Sequence, residues 1–107
     1  MIRISSVKIL TAATVAITGE RHSPFRDQKR AFQATGFTSS GAGAAAISIQ
    51  GSLDGENFIE IGTISLVLNG ATVITDGFTT DSPWLYIRAK LNSISGTNAQ
   101  VTVWLGA

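Results

Sequence analysis

In the stretch WLYIRAKL, residues 84 to 91, apolar and polar side chains alternate, and a period of two confines such a segment to a half-buried strand. Leu85, Ile87, Ala89 and Leu91 are predicted inward, with Tyr86, Arg88 and Lys90 on the opposite face. AQVTVWLG repeats the pattern, with Val101, Val103 and Leu105 inside and Gln100, Thr102 and Trp104 outside. Such runs, bounded by Gly, Asn, Asp, Ser or Pro, return about every ten residues, and helical periodicity is hard to find, which is the pattern of an all-β sandwich or barrel. Strands are predicted over residues 2 to 9, 12 to 18, 30 to 36, 44 to 52, 57 to 62, 63 to 69, 71 to 76, 84 to 92 and 99 to 105, about eight in all once some merge through a bend.

Turn chemistry supplies the connections. NSISGTN is predicted to fold the last two strands into a hairpin, with Gly96 free to take positive φ and Asn92 and Asn98 as turn formers. Asn69-Gly70 is the preferred pair for a two-residue type I′ turn and predicts a second hairpin in TISLVLNGATVIT. Ile64, Leu66 and Leu68 then join Ile47, Ile49, Phe32 and Ala34 in a single sandwich core. Two segments stand outside this pattern. SSGAGAAA, residues 39 to 46, reads as a loop entering a strand where backbones pack closely or a bulge forms. GERHSPFRDQKR, residues 19 to 30, is a charged loop holding six of the fifteen charged residues.

A chain of 107 residues is predicted to form one domain, residues 1 to 107, large enough to bury a core without staples. It has no cysteine, so packing and backbone hydrogen bonds must hold it. Eight basic against seven acidic residues leave a net charge of +1, too little for the basic field of a nucleic-acid-binding domain, so no nucleic-acid partner is expected. Charged residues make up 14% of the chain against roughly 25% in an ordinary domain, so neighbours can cover such a surface at low desolvation cost. At the N-terminus Arg3 and Lys8 precede a mildly apolar run, but threonines interrupt it short of the roughly 18 residues that span a bilayer. It is predicted to be a strand, and no membrane partner is expected.

No motif for chemistry emerges. His22, the one histidine, lies between Arg21 and Ser23 in the charged loop, with neither a strained elbow nor an oxyanion-hole motif to make it and Asp27 into a catalytic set. Asp54, Glu56 and Asn57 in GSLDGENF are oxygen ligands without the spacing of a calcium loop, and Asp54-Gly55 reads as a hairpin turn. The acids are scattered over turns, and SGAGAAA lacks the lysine and helix of a phosphate-binding loop. The expectation is a non-enzymatic protein with no catalytic residues, metal or cofactor. Carbohydrate binding through Trp84, Tyr86 and Trp104 is the alternative, set against burial of the outward aromatics on a neighbouring subunit.

ISIQGSLDGENFIEIGTI and DSPWLYIRAKLNSISGTNAQVTVWLG, covering about residues 46 to 106, resemble the small structural proteins of tailed bacteriophages, in particular head decoration (cement) proteins. The resemblance implies a jelly-roll-like antiparallel β-sandwich and a virion protein on the outer capsid surface, assembled in the host cytoplasm. It further implies binding to the major capsid protein lattice and a homo-oligomer, dimer or trimer; a tail, neck or adaptor component is the related alternative. On this view Arg21, Arg26, Lys29 and Arg30 form a capsid-contact loop, and Tyr86, Arg88 and Trp104 face a sister subunit or the shell.

Overall fold

A computed structural model of the chain describes residues 6–22, 30–80 and 84–106. Eight strands follow in order: β1 (Ser6–Ala13), β2 (Ile17–Thr18), β3 (Arg30–Phe37), β4 (Ser40–Ser52), β5 (Ile59–Asn69), β6 (Ile74–Thr80), β7 (Tyr86–Thr97) and β8 (Gln100–Gly106). They form two four-stranded sheets, ordered β1-β8-β3-β6 and β2-β7-β4-β5, with every pairing antiparallel. The pairs β1–β8, β2–β7, β3–β6 and β4–β5 nest like one long hairpin whose tip is the β4–β5 turn. Joining β8 to β3 and β7 to β4 rolls that hairpin into a sandwich, which is the jelly-roll arrangement.

The predicted alternation sets the core. Ile47, Ile49, Leu68, Ile87, Ala89, Leu91, Val101 and Val103 are sealed from solvent, with Phe32, Ala34, Ile64, Leu66 and Leu105 beside them. Leu85 departs from the prediction: it precedes β7, is 56% exposed, and Trp84 turns inward instead. The indole occupies the space over Gly51, where an added Cβ would lie 2.5 Å from it. Gly62 likewise leaves room for Phe78, whose ring centre is 5.1 Å from that of Phe32. Small residues in the strands thus mark where rings fill the interior.

The hairpin predictions at NSISGTN and at Asn69-Gly70 are both corrected. β7 and β8 lie in opposite sheets, as do β5 and β6, so neither pair is a hairpin. A turn sequence reverses the chain, but it does not decide whether the next strand bonds to the previous one or crosses to the facing sheet. At Asn69-Gly70 only Gly70 has positive φ (64°), whereas a type I′ turn needs it at both central residues. Gly70 instead bridges two backbones, receiving a hydrogen bond from the Thr38 amide and donating one to the Gly41 carbonyl. Between β7 and β8, Asn98 takes the left-handed conformation (φ 50°) and starts the crossing.

Residues 40 to 43, predicted as the loop ahead of the strand at 44 to 52, already belong to β4. The predicted bulge is there, as a register shift between Ser40 and Ala44 against β7, with Gly41 at φ 73°. The predicted strands 57 to 62 and 63 to 69 merge into β5, and 12 to 18 divides between β1 and β2. GSLDGENF is the turn it was predicted to be, joining β4 to β5.

Candidate docking face

Tyr86 and Arg88 project from the outer side of β7, because their neighbours Ile87 and Ala89 face the core. Register places Tyr86 opposite Ser52 and Arg88 opposite Gln50, bringing both next to the β4–β5 turn. Arg88 donates from Nε to Gln50 Oε1 at 2.6 Å, and its guanidinium lies 3.8 Å from the centre of the Phe58 ring. Stacking on an aromatic face orients the planar cation without consuming its remaining N–H donors.

The chain arriving from β2 adds a second guanidinium. Gly19 donates to the Ala89 carbonyl, and His22 and Ile87 exchange a reciprocal pair of backbone bonds at 2.7 Å, so residues 19 to 22 line the edge of β7. This corrects the start of the charged loop predicted for residues 19 to 30. Arg21 accordingly reaches the β4–β5 turn, donating from Nη1 to the Gly55 carbonyl at 2.7 Å, with its guanidinium 5.1 Å from the Tyr86 ring centre. Two ring-stacked arginines therefore share one end of an outer face.

Asp54 fixes the turn that holds them. Its carboxylate accepts from the Asn57 amide at 2.8 Å, the Asn57 side chain at 2.9 Å, the Glu56 amide at 2.9 Å and the Ser52 hydroxyl at 2.8 Å. The Asn57 amide is the main cause, and the other bonds add to it, in holding the carboxyl well below the usual carboxylate range. Gly55 follows at φ 79°, where its bare α-carbon accommodates the Arg21 guanidinium: an added Cβ would approach Nη1 within 2.4 Å. Asp54 serves the backbone of its own turn.

Trp104 is not part of this face. It sits on β8, in the other sheet, opposite Lys8 on one side and Gln33 on the other, with the Lys8 ammonium 5.9 Å from its ring. Arg26 and Lys29 lie outside the described residues; Arg30 opens β3, where it pairs with Thr80. The sequence pattern did not reveal Gln50, Gly55 and Phe58 as partners of the arginines. Gln50 and Arg88 are brought together by the β4–β7 register, which carries no local signal.

A hollow of about 470 Å³ opens between β1 and β2, with Lys8, Leu10, Ala13, Ile17, Glu20 and His22 among its walls.

Fold and face together define the class of the molecule: an eight-stranded antiparallel jelly roll, one outer face of which carries a paired-arginine patch. No protein-family model matches the sequence, and no curated protein matches it. Among solved structures, the SPBc2 prophage-derived protein YomS is similar at a TM-score of 0.61 and 14% identity, with 98% of this chain and 94% of that one covered. The PBSX exported protein XepA is similar at 0.53 and 10% identity, over 97% of this chain and 36% of that one. A chain of infectious bursal disease virus, Gx strain, gives 0.53 and 11%, over 97% and 32%. This chain therefore spans nearly all of the first and about a third of the other two. Its fold is one found in phage-derived and viral proteins.

Proposed function

We propose that this protein is a non-enzymatic structural component of a tailed-phage virion, of head decoration type, which binds the major capsid protein lattice and reinforces the shell from outside. The observation that carries the reading is the ring-stacked pair Arg21 and Arg88, held at one end of an outer face on a fold shared with prophage-derived and viral chains. Guanidinium groups oriented in this way are suited to carboxylates, which accept two parallel N–H bonds from one arginine. Arginine and tyrosine are also the residue types that dominate the buried centres of protein interfaces. In this proposal the acidic partner groups belong to the shell, and Arg26, Lys29 and Arg30 of the charged loop supply a further basic contact. Several modest contacts engaged at once give avidity that each lacks alone.

Exchange of Arg21 and Arg88 for glutamate should strip the protein from purified particles, as measured by the number of copies per shell on gels. Occupancy equal to the wild type would refute the docking assignment. Exchange of Arg26 and Arg30 tests the loop separately. A neck or tail location would instead appear as copies confined to those parts of the virion in labelled electron micrographs.

A second reading, carbohydrate recognition, is favoured by Trp104 on the outer face of the other sheet, beside Gln33 and Thr102. A specific signal on a glycan array that disappears in Trp104→Ala would favour it.

A further inference from the structure

We propose that β5 is a pairing edge for a second copy of this chain, making an antiparallel β5–β5 junction about a two-fold axis near Ser65. The inference is independent of the docking assignment above and rests on the four sheet edges. Each sheet ends in two strands, and an exposed edge invites pairing unless charge, irregularity or shortness blunts it. Three of the four are blunted. β1 has two register shifts against β8, and Ala12 takes a left-handed φ of 47°. β2 is two residues long. β6 carries an exposed acid, Asp76, in mid-strand opposite the fully buried Ala34.

β5 has none of these devices over most of its length. It is 11 residues long, and from Ile61 to Asn69 it contains no charge and no proline. Its one irregularity is the register shift opposite Ile49 and Gln50, near its start. The direction of its backbone groups follows from one bond. Gly70 donates to the Gly41 carbonyl directly across the extended ladder, so residues 68, 66 and 64 also bond towards β4. The alternate residues Thr63, Ser65 and Val67 then aim their amide and carbonyl groups away from the sheet. Their side chains lie on the outer face and are exposed, Val67 at 76%.

Self-pairing suits this edge better than pairing with an unrelated strand. An isologous contact needs only that a surface complement itself, and an antiparallel strand does so through its backbone. Centring the axis on Ser65 pairs the whole uncharged run, with Thr63 facing Val67 and Ile61 facing Asn69. Glu60 falls opposite Gly70, so no like charges meet. The flanking outer positions Ala44 and Ala46 on β4 are small, which leaves room for a newly joined strand there.

Light scattering coupled to size exclusion should give twice the 11.2 kDa of one chain. Ser65→Lys, which sets two ammonium groups against each other at the axis, should return the mass to one chain while circular dichroism stays unchanged. Because the chain has no cysteine, Ser65→Cys offers a second measurement that does not depend on that variant folding: mild oxidation should link most of it into a dimer. A control cysteine at exposed Lys90 should link far less. A wild type of single-chain mass at near-millimolar loading, a trimer or larger ring, or a dimer whose Ser65→Cys form fails to cross-link would overturn the proposal.

Discussion

Asp54 fixes the turn on which the proposed docking face is built, and its own carboxylate is taken up by that turn. Its carboxyl is held well below its usual range, so its contribution to folding is complete above about pH 4 and is lost as the pH falls towards the folded-state value. Asp54→Asn should therefore melt below the wild type at pH 7, and the gap should narrow as the buffer is taken to pH 3 and lower. A gap independent of pH would remove the charge from this account. The glycines make a different prediction. Gly62→Ala would place a methyl group 2.3 Å from the Phe78 ring, and should cost about 1 to 3 kcal/mol in denaturant unfolding as that ring is pushed from Phe32. Val103→Ala, at a fully buried position without such a clash, tests the core by deletion and should cost about 2 kcal/mol or more.

At the scale of strands, the sequence revealed which side of β3, β4, β5, β7 and β8 faces the core but not which strands are neighbours. Side-chain alternation is fixed by the backbone of a single strand, so Ile47, Ile64, Ile87, Val101 and their companions were legible one segment at a time. Pairing depends on partners far along the chain. Asn69-Gly70 and the Gly96 to Asn98 segment carry turn chemistry that is correct for a reversal, yet both reversals cross between sheets. This is why Trp104 was grouped with Tyr86 and Arg88 and the structure separates them. The β4–β5 turn was legible because its partners, Gly51 and Ile59, are close in sequence. Arg21 was legible as a charged loop residue, but its seat against Gly55 and Tyr86 depends on the pairing of His22 with Ile87. Disrupting that edge with Gly19→Val, whose side chain would meet the Ile9 carbonyl, should loosen Arg21 and weaken shell binding while Arg88 remains in place.

For the whole molecule, the two proposed surfaces are compatible. The arginine face lies towards β2 and β7, across the sheet from β5, and a two-fold axis through Ser65 would stand perpendicular to the sheet. Both copies would then present their arginines to the same side, as binding to an extended lattice requires. Raising salt from 0.1 to 1 M shortens electrostatic range from about 10 Å to about 3 Å and should release the protein from shells without dissociating a backbone-paired dimer. The nested pairing also bears on how the chain acquires its shape. Gly51 meets Ile59 across the tip, whereas Ser6 meets Gly106 from the far ends of the chain, so the loop-closure cost rises from the innermost pair to the outermost. Folding should start at the Asp54 turn and close outwards like a zip. Asp54→Asn should then slow refolding, whereas Val103→Ala should chiefly speed unfolding.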